Sequence, residues 1–197
     1  MTSTAASTRR DHLINVACDL FSEHGFHGTG IDRILAVAGV SKKTLYKHFR
    51  SKEELILAVL RQHDSTFRNQ FMRAVEETGP TPRDRLLGIF DVAGKWFEDS
   101  SFFGCLFISA VGEYSAEDTA IRDACRDFKR LMRDFIVGLA EEAGARDAKG
   151  LGEQLALLLE GAIVTAQVSD RTLAAGTARQ AARTLIDQAL EKTPTPA

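Results

Sequence analysis

The chain has 197 residues, 44% of them hydrophobic and 26% charged, which suits one compact unit or a small domain fused to a larger one. No apolar run reads as long enough to span a bilayer, and Met1–Arg10 is Ser/Thr/Ala-rich without the apolar stretch a secretory signal needs, so a cytoplasmic protein with no membrane partner is expected. The net charge of −2 argues against nucleic acid only as an average: residues 1–60 carry eight Lys/Arg against six Asp/Glu, and Lys42 to Lys52 hold five basic residues and no acidic one.

Alternating β-branched runs are absent, and Pro and Gly fall between periodic segments, so an all-α fold of about nine helices is expected. The first helix reads from about Thr8 to His24, with Leu13, Ala17, Leu20 and Phe21 on one face and Gly25 as a left-handed cap. Thr29 and Asp32 have capping-box spacing before a short helix carrying Ile31, Ile34, Leu35 and Ala38. After Gly39, Ser41 can cap a second short helix with Leu45 and Phe49 on its inner side. Two short helices joined through Ala38-Gly39-Val40-Ser41 have the sequence form of a helix-turn-helix.

At 100° per residue, Lys43 and Lys47 lie almost opposite Leu45, with Thr44 and Tyr46 flanking them. Two cationic donors, a hydroxyl and a phenol on one exposed face are equipment for a major groove. Thr29, Ser41, Lys42, Lys43, Thr44, Tyr46, Lys47, His48 and Lys52 are therefore the candidate DNA-contacting residues. Ser51 and Glu54 form a further capping box, opening a long helix to about Glu77 in which Leu55, Val59, His63, Phe67 and Phe71 recur every four residues. Lys52 in its first turn is a phosphate candidate assisted by the helix N-terminus.

The stretch Gly28–Leu55 strongly resembles the DNA-binding signature of the tetracycline-repressor (TetR) family. The Ala38-Gly39-Val40-Ser41 turn, the Thr44-Leu45-Tyr46 core and the Phe49-Arg50-Ser51-Lys52-Glu53-Glu54-Leu55 junction carry it. Gly30, Lys43 and Lys47 depart from common family choices, which bears on the operator sequence and not on the fold. The resemblance implies a three-helix DNA-binding head at residues 1–52 and a ligand-binding and dimerisation body at 53–197.

In the body, Thr81, Pro82 and Asp84 mark a helix start, with Leu86, Phe90, Ala93 and Phe97 facing inward. Phe102-Phe103-Gly104-Cys105-Leu106-Phe107 is similar to the Gly-Cys-Leu element that opens a body helix in many family members. A helix from about Asp118 to Glu142 presents Ile121, Cys125, Phe128, Met132 and Phe135. The resemblance implies an apolar effector pocket among these helices, for which Phe67, Phe71, Phe90, Phe103, Cys105, Phe107, Phe128 and Met132 are the candidates; aromatics at helical spacing also read as ordinary core. Leu151–Val168 is apolar on more than one face and Ala178–Leu190 is alanine-rich. In the family this pair forms a four-helix bundle with a second copy, making Leu155, Leu158, Leu159, Ala162, Ile163, Ala182, Leu185 and Ile186 the interface candidates; a terminal hairpin packed on its own body is the alternative. Thr193–Ala197 reads as a disordered tail.

The three cysteines, Cys18, Cys105 and Cys125, are odd in number and sit in apolar helical patterns, so neither a disulfide framework nor a zinc cluster is suggested. His24 and His27 flank Gly25 without a third ligand, so no metal is expected. No phosphate loop, nucleophile elbow or zinc-binding His/Glu pair appears, and no enzyme activity or cofactor is expected. The reading is a homodimeric repressor released from double-stranded operator DNA by a small apolar or amphipathic effector. Its alternatives are redox sensing by Cys105 or Cys125 with the same head, or an activator.

Overall fold

The computed structural model describes residues 2–114 and 119–191, with side chains from Thr8 onward; the expected tail Thr193–Ala197 and the expected helix start at Asp118 lie outside the described residues. Among the described residues the chain forms nine α-helices and no strand: α1 (Thr2–His24), α2 (Ile31–Ala38), α3 (Lys42–His48), α4 (Lys52–Glu76), α5 (Pro82–Glu98), α6 (Leu106–Glu113), α7 (Ala120–Glu142), α8 (Ala148–Val168) and α9 (Arg171–Leu190). Packing divides the chain into two units. One comprises residues 1–67 and 105–128, the other 68–104 and 129–197, so α4 and α7 each contribute to both.

In the first unit, Leu13, Ile14, Ala17, Leu20 and Phe21 of α1 meet Ile34 and Ala38 of α2, Leu45 of α3 and Leu55, Ile56 and Val59 of α4 in a buried core. The punctuation follows local chemistry. Gly25 and Gly39 adopt φ of +75° and +64°, the left-handed conformation that ends α1 and α2 without a Cβ penalty. Ser41 accepts the Thr44 N–H at 3.2 Å and opens α3. At the head of α4 the Ser51 hydroxyl accepts the Glu54 N–H at 3.2 Å, while Glu54 reaches back one residue further than expected, to the Arg50 N–H at 2.6 Å.

The second unit is built on α5, α8 and α9. α5 opens with the expected capping box: the Thr81 hydroxyl accepts the Asp84 N–H at 3.1 Å and the Asp84 carboxylate accepts the Thr81 N–H at 3.3 Å, with Pro82 in the first turn. That hydroxyl also donates to Asp84, which holds the Asp84 carboxyl below its ordinary range. Leu86, Ile89, Phe90, Ala93 and Phe97 of α5 are buried with Leu151, Leu155 and Leu159 of α8 and Ala175, Ala178, Ala182 and Ile186 of α9. α9 starts at Arg171, seven residues before the expected Ala178, because Asp170 caps it by accepting the Thr172 N–H at 2.8 Å.

One expectation is corrected by α8. At 21 residues and a mean hydropathy of 1.2 over its most apolar window, it is long and apolar enough to cross a membrane by length and composition. The reason is that two of its faces are apolar. Leu151, Leu155, Leu159 and Ile163 are buried within the unit, whereas Leu157 and Val168 are each 73% exposed.

Candidate nucleic-acid interface and effector core

α2, the Gly39 turn and α3 make the helix-turn-helix. Leu45 points into the core, Lys43 and Lys47 are exposed on the far side of α3 as the 100° projection requires, and Tyr46 and Lys42 are exposed toward its flanks. Ser41 is exposed, and Thr44 and His48 are half-buried. The Thr44 hydroxyl lies 3.0 Å from the Ser41 hydroxyl, so these two groups form part of the cap and orient one another. The surface that remains carries three ammonium groups and a phenol with no carboxylate on α3 itself. Such a face meets phosphates and base-edge acceptors without internal neutralisation.

One member of the predicted set needs correction. Thr29 is 0% exposed, and its hydroxyl donates to the Gly25 carbonyl at 2.8 Å and the Leu20 carbonyl at 3.2 Å. It is spent on closing the loop and has no surface for DNA; the N-cap position of α2 falls to Gly30, which has no side chain to bond with. Lys52 is half-buried in the first turn of α4, beside Glu53 and Glu54. There Ser51 accepts the Glu54 N–H, Glu54 reaches outside the helix to the Arg50 N–H, and Glu53 is held below its ordinary pKa by its own backbone N–H and the Ser51 hydroxyl.

The predicted effector residues are distributed over both units. In the first unit Phe107 of α6 stacks on Phe128 of α7 with ring centroids 3.8 Å apart at 7°, and Phe67 of α4 lies 6.3 Å from Phe128. His63, which had no assigned role, completes the cluster: it stacks on Phe67 at 5.5 Å and lies 5.8 Å from Phe107. Burial pushes the His63 imidazole below its ordinary pKa, against a smaller opposing pull from Asp64, which favours the neutral ring. Its Nδ1 is 3.7 Å from the Cys18 sulfur. Beside this pair lies a cleft of about 190 Å³ lined by Ile14, Asn15, Val59, Gln62 and Thr66. Cys105 is buried at the N-cap of α6.

Phe71, Phe90 and Met132 belong to the second unit, where each is buried. Phe103 is the clear departure, at 42% exposed. Its neighbour Phe102 takes the interior place, edge-on to Trp96 at 5.0 Å and beneath the Arg171 guanidinium at 5.3 Å. Two adjacent phenylalanines in an extended segment cannot both face inward, and Gly104 at φ +98° then turns the chain.

The predicted interface residues divide similarly. Leu155, Leu159, Ala162, Ile163, Ala182 and Ile186 are buried within the chain itself, and Leu158 and Leu185 are half-buried. The apolar surface left open on α8 is Leu157, Val164 and Val168, with Gly161 among them and nothing within 4 Å of where its Cβ would stand. Leu173 of α9 is 65% exposed. In sequence, an apolar face covered by a neighbouring helix and an apolar face left open look alike.

Residues 13–59 match the family model for bacterial regulatory proteins of the tetR family. Among curated relatives, the transcriptional activator FasR of Mycolicibacterium smegmatis is 33% identical over 132 residues, 64% of this chain and 60% of that protein. The transcriptional regulator RutR of Escherichia coli is 48% identical over 60 residues, 30% of this chain and 28% of that protein. In both, the matched stretch is less than two thirds of the relative's length. A crystal structure of a TetR-family transcriptional regulator from Streptomyces coelicolor superposes with a TM-score of 0.87 at 29% identity, covering 94% of this chain and 97% of that one.

Proposed function

The chain belongs to the tetR family of bacterial regulatory proteins, and from that premise we propose that it is a homodimeric transcriptional repressor released from operator DNA by a small apolar or amphipathic effector. The carrying observation is α3: a capped helix set on a buried Leu45, presenting Lys42, Lys43, Tyr46 and Lys47 outward without a carboxylate among them. Residues 1–52 act as the head and 53–197 as the body. Two copies joined through the open face of α8 and α9 present two recognition helices, and DNA binding requires them about 34–36 Å apart, one turn of the duplex. The aromatic core of Phe67, Phe107 and Phe128 with His63 is the effector site in the first unit, its neutral imidazole a hydrogen-bonding group within apolar walls. An effector favouring a spacing that does not fit the grooves lowers operator affinity, and operator DNA lowers effector affinity by the same factor.

Gel shifts on a duplex carrying the intergenic DNA beside the gene, against a random duplex, test the head. The Lys43→Ala/Lys47→Ala double variant is expected to lose specific binding by tenfold or more, about 0.7 kcal/mol or above per contact. Unchanged affinity removes the recognition-helix assignment. FasR is named an activator, and the same head serves activation when the operator lies elsewhere relative to the promoter; transcription from that DNA with and without the protein decides the sign. Redox sensing by Cys18 is disfavoured, because burial raises its pKa from 9.0 to about 11.

A further inference from the structure

The turn between α1 and α2 is gripped by one carboxylate from a distant element. α1 ends at His24 and Gly25 leaves it at φ +75°, so the Phe26 and His27 N–H groups face away from the helix's own carbonyls. Both donate to Glu113, the last residue of α6: Phe26 N–H to Oε1 at 2.8 Å and His27 N–H to Oε2 at 2.5 Å. The His27 Nδ1 lies 3.2 Å from the same Oε2. Tyr114, next in the chain, stacks on the His27 ring at 5.0 Å and meets Phe26 edge-on at 6.2 Å. A Cβ on Gly25 would stand 2.9 Å from Glu113 Oε1, so glycine there serves both the left-handed backbone and the close approach of the carboxylate. From the inside, Thr29 ties the same turn to the end of α1.

The other end of α6 carries Phe107, stacked on Phe128 and adjoining His63. α6 is eight residues, about 12 Å long. One short helix thus has a ring in the aromatic core at one end and a carboxylate on the threshold of α2 at the other. A packed helix shifts as a body, so a displacement of Phe107 either carries the grip with it or breaks it. In both cases α2 is displaced through the four-residue segment from His27 to Gly30.

We propose that Glu113 is a positioning residue through which α6 holds the helix-turn-helix in its DNA-binding arrangement, so that the state of the Phe107–Phe128–His63 cluster is read at the DNA through this carboxylate. The inference rests on the DNA-binding function proposed above. Its test is a cycle of Glu113→Gln, Phe107→Leu and the double variant in the full-length protein. Two readouts are taken: amide hydrogen exchange at Phe26 and His27, and affinity for the duplex carrying the intergenic DNA beside the gene. Glutamine keeps the size of Glu113 but offers a single acceptor oxygen and no charge. Glu113→Gln is expected to speed exchange at the two amides about tenfold and weaken the duplex complex about tenfold, with helicity retained. Phe107→Leu is expected to weaken binding severalfold alone and to add nothing in the Glu113→Gln background. Additive effects, or wild-type affinity in Glu113→Gln, overturn the proposal. Phe128→Leu opens the same stack from α7 and takes the place of Phe107→Leu if that variant fails to fold. If the wild type shows no specific DNA binding, the functional reading fails by itself and the exchange arm still decides: unaltered protection of Phe26 and His27 in Phe107→Leu overturns the coupling.

Discussion

Replacing Thr29 by valine tests whether this residue closes a loop or faces DNA. Threonine and valine have nearly the same shape, and the side chain is fully buried, so the exchange puts a methyl group where the hydroxyl stood and removes one donor. That donor serves the Gly25 carbonyl at 2.8 Å and the Leu20 carbonyl at 3.2 Å. Gly25 follows the last turn of α1, where its carbonyl has no continuing helix to accept from. Leaving a buried acceptor unmatched costs about 1–3 kcal/mol. In a chain of this size each kcal/mol lowers the melting temperature by about 2–4 °C, so a fall of about 2–12 °C is expected. The measurement is thermal unfolding by circular dichroism, at matched protein concentration because any self-association adds to the melting temperature. A Thr29→Val protein that melts with the wild type refutes the buried-donor account.

Leu157→Glu and Val164→Glu should give a helical monomer near 21.6 kDa by light scattering, whereas Leu155→Glu, at a fully buried position, should unfold; a dimeric Leu157→Glu protein rejects the open face as the interface. Lys52→Ala should weaken specific and random duplexes alike and flatten the salt dependence by about one phosphate, and an unchanged slope removes Lys52 from the DNA contacts. The Cys18 thiol, raised from 9.0 to about 11, should hold about a hundredfold less thiolate at pH 8.5 than an exposed cysteine and alkylate correspondingly slowly with iodoacetamide. Because the folded pKa lies above the unfolded one, its contribution to stability is complete below pH 9 and is lost as pH rises toward 11; a Cys18→Ser variant with the same alkaline stability profile refutes this.

Legibility in the sequence followed the range of the interaction. Gly39, Ser41, Ser51 and the Thr81–Asp84 pair were readable because a cap is decided within four residues. Where several partners could satisfy the same group, local reading failed. Thr29 has the spacing of a cap, yet its hydroxyl turned to the carbonyls of α1. The early start of α9 had a local signal in Asp170, but small residues over Arg171–Ala178 hid its periodicity. Glu113 had no local signal at all, being 86 residues from the nearer N–H it accepts.

By itself, the sequence determined the all-α fold, the helix-turn-helix and the cationic outer face of α3, because helical periodicity, left-handed glycines and side-chain caps are properties of short segments. Only the tertiary structure decided which of two apolar faces on α8 is covered by its own unit, which of Phe102 and Phe103 enters the interior, and which carboxylate reaches the turn before α2. Those outcomes depend on which elements compete for the same buried surface and the same unpaired N–H groups, and that competition arises only when segments far apart in the chain are packed together.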